Sequence, residues 1–241
     1  MCIYSALDLS FEGDRFPAIA GIAQKISQAT GYTYLAGLWK ERLHTGLLWH
    51  ASSFVARQTS TPQAPSWSWA SLGGPIGVIY CRASYTQSSD FDAEVVDASV
   101  YLTEEDDDVF AHGESAEITL NASYFNVWCR SSSKGHAPYS DPYLRKFIDI
   151  FDGRGIFIGT GYWDRLPDEQ VIQSTAVVVS QRVDEALNAT PTAPITTFLL
   201  VKDKGDYTAR TGVGHTGDEM HGRVSTALDL AKCDRKQFLL R

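Results

Sequence analysis

From Gly77 to its end the chain is written in short β-branched and aromatic runs cut by polar or glycine-rich turns. This punctuation constrains the fold more than any other feature. The runs include GVIYCRA, EVVDASVYL, AEITL, FNVWCR, VIQSTAVVVSQ and TTFLLVKD. KFIDIF (146–151) and IFIGTGYW (156–163) flank Asp152-Gly153-Arg154-Gly155, a hairpin signal because those residue types accept the backbone angles a tight turn needs. Counting the runs gives about nine or ten strands, enough to close on themselves or to form two packed layers. The expected fold is therefore mainly β, an antiparallel β-barrel or barrel-like sandwich.

Two N-terminal helices are expected to cover it. Over 14–30, Ile19, Ile22, Ala23 and Ile26 recur at helical spacing, and Pro17 falls where a first turn tolerates it. Over 35–50, Leu35, Trp39, Leu43, Leu47 and Trp49 lie near one side, with Lys40, Glu41 and His44 on the other. In APSWSWAS (64–71), the alternation puts Trp67 and Trp69 on one face of an expected core strand. One domain over 1–241 is expected, with the helical part (1–50) packed on a β-barrel (64–241). Polar stretches at 85–92, 131–141 and 187–194 read as loops, as does glycine-rich 212–222.

The order Tyr4-Ser5, Leu9-Ser10, DRFPAIAGIA (14–23), YLAGLW (34–39), LLW (47–49) and APSWSWAS (64–71) resembles the region after the HET domain in fungal heterokaryon-incompatibility (HET) proteins. The resemblance continues more weakly to GDYTARTGVG (205–214) and KQFLLR (236–241), and so spans nearly the whole chain. Leu7 and Ser10 depart from the family's usual Arg and Thr. The family's HET domain, with its YxALSYxWG signature, precedes this region and has no counterpart in the three residues before Tyr4. The resemblance implies a role in non-self recognition through contact with a HET-domain protein, without the HET domain's own activity.

Composition removes several function classes. At 241 residues, with 44% hydrophobic and 21% charged residues, the chain can bury a sizeable core. A net charge of −8 without a clustered basic stretch disfavours nucleic acid. No apolar run reaches the roughly 18 residues a membrane span needs, and no signal segment opens the chain, so a cytoplasmic protein without membrane contact is expected. Cys2, Cys81, Cys129 and Cys233 lack CxxC spacing and read as reduced thiols.

Motifs for cofactor chemistry are equally absent. Glu104–Asp108 lacks the glycine and closing glutamate of a calcium loop and reads as a solvated acidic turn. The six histidines form no HxH or HExxH, although His215 and His221 share one glycine-rich stretch. No GxSxG elbow occurs. Gly153, Gly155, Gly159 and Gly161 fall in the hairpin with no following helix to bind phosphate, and read as turn and close-packing glycines. No metal or other cofactor is expected.

Six Trp and eleven Tyr are the remaining resource, since aromatic walls with polar tips suit a hydrophobic small-molecule substrate. Trp39, Trp49, Trp67 and Trp69 read as core. His136, Tyr139 and Asp164 are the catalytic candidates, able to move a proton or polarise a carbonyl, with Arg57, Tyr80, Tyr162 and Trp163 as substrate-binding candidates. Two functions follow as expectations. One is a cofactor-independent cyclase or isomerase, pericyclic steps included, of fungal secondary metabolism. The other is a non-catalytic interaction or regulatory module related to heterokaryon incompatibility.

Overall fold

The computed structural model describes residues 4, 9, 11–51, 57–58, 64–73, 78–80, 91–101, 108, 110, 116–131, 147–165, 167, 169–182, 194–216 and 228–241. A 3-10 turn, Glu12–Arg15, leads into helix α1, Pro17–Thr30. Pro17 occupies the first turn, where its missing N–H costs nothing. Gly31 ends the helix in the left-handed region at φ +74°, returning its N–H to the Ser27 carbonyl. Of the expected stripe, Ile19 and Ala23 are buried, but Ile22 is 63% and Ile26 40% exposed. The helix therefore packs through a narrow strip and leaves an apolar strip outside.

The second helix is much shorter than the 35–50 periodicity predicts. Strands β1, Tyr34–Leu35, and β2, Leu38–Trp39, form a hairpin around Ala36-Gly37. A 3-10 turn (Lys40–Arg42) and the four-residue helix α2, Leu43–Gly46, follow. Ala36 and Gly37 both have positive φ, +42° and +91°, as a two-residue turn with the twist of its strands requires. A Cβ on Gly37 would stand 2.6 Å from Trp69 Nε1. Leu35, Leu43, Leu47 and Trp49 are all buried as expected. Apolar spacing recorded their burial, while the Ala-Gly turn set the backbone.

The SWSWAS tract is also not the expected strand. It forms a turn followed by a 3-10 helix, Trp69–Ser71, which Ser68 caps by accepting from the Ala70 N–H at 3.1 Å. The same Ser68 hydroxyl donates to the Ala36 carbonyl at 2.6 Å, and the Trp69 indole donates to the Gly37 carbonyl at 2.9 Å. The second aromatic tract thus satisfies the Ala36 and Gly37 carbonyls of the first inside the core, where an unpaired carbonyl is costly. Short strands complete this part: β3 (Trp49–Ala51), β4 (Arg57–Gln58), β5 (Leu72–Gly73) and β6 (Val78–Tyr80), with β3 paired to β6 and β4 to β5.

The large sheet holds eight strands: β7 (Glu94–Val100), β8 (Ala116–Ser131), β9 (Phe147–Phe151), β10 (Phe157–Trp163), β11 (Val171–Arg182), β12 (Ile195–Asp203), β13 (Thr208–Thr216) and β14 (Asp234–Leu240). The expected hairpin is present as β9–β10, its turn held by the Asp152 carboxylate, which accepts from the Arg154 and Ile156 N–H groups at 2.9 Å each. The pairings antiparallel to their neighbours run β8–β9–β10–β13–β12–β11 and return from β11 to β8. The sixteen-residue β8 also carries β7 and β14 along its first half. Where β10 meets β13, a Cβ on Gly161 would lie 2.4 Å from the Val213 carbonyl oxygen and one on Gly159 2.0 Å from that of His215. The two glycines allow this close strand contact, in keeping with their close-packing reading.

Both faces of the sheet are buried over much of their area. On β11 and β12, Val177, Val179, Leu199 and Val201 join the N-terminal residues in one core, while Ala176, Phe198 and Leu200 join Val127, Cys129, Ile148, Ile150, Ile158 and Trp163 in a second. Period-two alternation assigns successive residues to opposite cores. Burial pushes the Cys129 thiol up to about 12, which makes it a packing residue and not a nucleophile. No helix among the described residues is long and apolar enough to cross a membrane.

Trp69 supplies both buried area and the bond to Gly37. Trp69→Ala is expected to lower unfolding free energy by about 3–5 kcal/mol in urea titrations, and Gly37→Ala to destabilise in the same assay through its clash and its positive φ.

Candidate functional site

The best-defined polar centre lies where β10 ends and β13 begins. The pairing of Trp163 with Gly212 sets the next residue, Asp164, beside Thr211, whose carbonyl accepts the Asp164 N–H at 2.9 Å. From β13, Arg210 reaches Asp164 by two bonds, Nε to Oδ2 and Nη2 to Oδ1, both 2.9 Å. The Arg210 side chain is 0% exposed and that of Asp164 6%. The guanidinium also donates from Nη1 to the Leu47 carbonyl at 2.6 Å and from Nη2 to the Trp49 carbonyl, and its carbon sits 3.7 Å from the Trp49 ring centroid. Planar, delocalised and permanently charged, arginine suits a forked contact of this kind.

Further bonds extend the centre. The Trp49 indole donates to the Trp67 carbonyl at 2.9 Å. The Arg210 backbone N–H donates to Ser66 Oγ at 2.9 Å, and Ser66 bonds the Arg241 carbonyl through both its N–H and its hydroxyl. One arginine thus links the LLW tract, the SWSWAS tract, β10 and the end of β14.

Of the expected catalytic residues, Asp164 has both carboxylate oxygens on Arg210, so delivering a proton to a substrate would first require breaking a buried ion pair. His136 and Tyr139 lie outside the described residues. Among the substrate-binding candidates, Tyr162 is half-buried and stacks face to face on His50, 3.9 Å between centroids and 6° between planes, with Phe147 4.7 Å away. Trp163 points to the other face of β10. It is 2% exposed in the second core, and its indole N–H finds no acceptor among the described residues. Arg57 and Tyr80 lie in β4 and β6, paired with Gly73 and Trp49 respectively, and their side chains fall outside the described part. Tyr162, Trp163 and Asp164 are consecutive, yet they serve a stacked pair, an apolar core and an ion pair.

Sequence reasoning missed Arg210, His50 and Ser66. Arg210 left one signal, a charged residue inside the apolar pattern of GDYTARTGVG; its four acceptors come from distant segments and leave no spacing. His215 lies with its Nε2 3.4 Å from Thr160 Oγ1, and His221 is outside the described residues. No group of three His, Cys, Asp or Glu side chains that could hold a metal occurs among the described residues. No known protein family, curated protein or solved structure matches the chain.

Removing one member of a buried pair strands the other charge. Asp164→Asn and Arg210→Met are each expected to cost about 3–5 kcal/mol in chemical unfolding. The double variant should be more stable than the sum of the two losses predicts; strictly additive losses would show that the pair is not coupled.

Proposed function

We propose that the chain is a cytoplasmic, non-catalytic interaction module related to fungal heterokaryon incompatibility, and that a HET-domain protein docks on the outer strip of α1. The observation that carries this reading is the exposure of Ile22 (63%) and Ile26 (40%), one turn apart on the helix and bordering the Ile19–Ala23 strip that it buries. Ile22 belongs to DRFPAIAGIA (14–23), part of the region that follows the HET domain in the proteins the sequence resembles, and Ile26 lies one turn beyond it. The commitment of Asp164 to Arg210 supports a binding role over a catalytic one. In this reading the returning circuit of strand pairings closes the large sheet into a barrel that serves as a rigid scaffold. The test is calorimetric titration of the full chain with a full-length fungal HET-domain protein. An Ile22→Asp/Ile26→Asp variant should bind at least a hundredfold more weakly with its melting temperature nearly unchanged, and absent or unaffected binding would overturn the proposal.

A second reading, the cofactor-independent cyclase or isomerase of fungal secondary metabolism, draws support from Trp163. A buried indole N–H that has no acceptor among the described residues, in an apolar cluster, is a donor suited to the carbonyl of a hydrophobic substrate. Trp163→Phe keeps the ring's bulk and removes the donor. If the reading holds, the variant should bind hydrophobic carbonyl compounds at least tenfold more weakly in fluorescence titrations while remaining as stable as the parent.

A further inference from the structure

We infer that the open face of β9, β8 and β11 around Trp128 is a binding platform for a neutral pyranose saccharide. This inference is independent of both readings above. Along the second half of β8, Val127 and Cys129 are fully buried while Asn126, Trp128 and Arg130 share the opposite, exposed face. Trp128 is 43% exposed, a large apolar ring to leave in water on a strand whose other face is well packed. Its cross-strand neighbours are Phe151 on β9 and Gln173 on β11, and the next rank holds Asp149, Arg130 and Val171.

The chemistry of this rim selects the ligand. Gln173 is exposed and stands directly across from Trp128, so its amide and the indole N–H present hydrogen-bonding groups on the same open face. Arg130 lies 4.9 Å over the Phe151 ring and 3.6 Å from Asp149, so among the described residues of this rim its charge is balanced by the carboxylate. That balance leaves nothing to draw a strongly charged partner. Asn126 holds Thr175 through its Oδ1 at 3.4 Å, leaving its amide N–H groups to donate outward.

An aromatic ring with amide and charged hydrogen-bonding groups at one strand spacing and at two residues along, about 5 and 7 Å away, matches a sugar ring. The apolar C–H face lies on the indole while hydroxyls radiating in the ring plane meet the surrounding groups. The alternative occupant, a second protein, fits less well. A stable protein interface takes about 20–30 residues a side, whereas among the described residues Trp128 and Val171 are the two large hydrophobics that this face exposes.

The test uses the full chain with cellohexaose and chitohexaose as probes and polygalacturonate as the charged control, followed by Trp fluorescence and calorimetry. One of the two neutral hexasaccharides should bind with Kd in the micromolar to low-millimolar range, more tightly than polygalacturonate. Trp128→Ala should weaken binding at least tenfold, and Gln173→Ala severalfold, with unchanged far-ultraviolet dichroism. Should Trp128→Ala fail to fold, protection of Trp128 from N-bromosuccinimide by bound hexasaccharide, read by peptide mass spectrometry, decides the matter. Absence of binding by both neutral probes at 10 mM, or equal binding by Trp128→Ala, overturns the proposal. So does a monomer–dimer equilibrium in sedimentation that Trp128→Ala abolishes, because the face would then belong to a second copy.

Discussion

The placement of Arg210 is the constraint on which the arrangement of this molecule turns. A guanidinium with 0% exposure is tolerable only if its donors are satisfied and its charge opposed. Asp164 opposes the charge, while the carbonyls of Leu47 and Trp49 take two further bonds and the Trp49 ring lies beneath the cation. Because these partners come from β10 and from the segment leading into β3, the charge can be buried only when the N-terminal tracts and the sheet meet in one geometry. Apolar contact alone is less selective, since packed hydrophobic surfaces tolerate many small shifts that a forked hydrogen-bond pair does not.

The aromatic tracts solve a related problem. YLAGLW turns sharply at Ala36-Gly37 and exposes two carbonyls toward the core, and SWSWAS supplies the hydroxyl and indole donors that satisfy them. The indole can approach because residue 37 has no side chain. Ser68 caps the following 3-10 turn with the same oxygen, so one hydroxyl fixes a local turn and a distant contact together. The sequence spacing between these tracts is thus a record of mutual docking, and their tryptophans are consumed by structure.

Some elements could be read directly from the residues. The β9–β10 hairpin follows from Asp152-Gly153-Arg154-Gly155 between two apolar runs, and α1 from Pro17, its periodicity and Gly31. The burial of Trp49, Trp67 and Trp69 was equally legible. Helical periodicity over 35–50 misled because Leu35, Leu43 and Leu47 reach the core from a hairpin strand, a short helix and the residue that ends it as readily as from one face of a long helix. The polar centre was half visible: Asp164 could be noticed as an acidic residue at a strand end, but its partner lies 46 residues away and no pattern of spacing joins them.

By itself the sequence determined the β-rich character, the hairpin, the first helix and the burial of Trp49, Trp67 and Trp69, because alternation, turn chemistry and hydrophobicity are local properties. Only the tertiary structure decided which strands pair, that β11 returns to β8, that Trp69 meets Gly37 and that Asp164 belongs to Arg210. Those outcomes depend on distances between segments far apart in the chain, where close backbone approach and the cost of an unpaired buried charge select one arrangement among many that satisfy the same local rules.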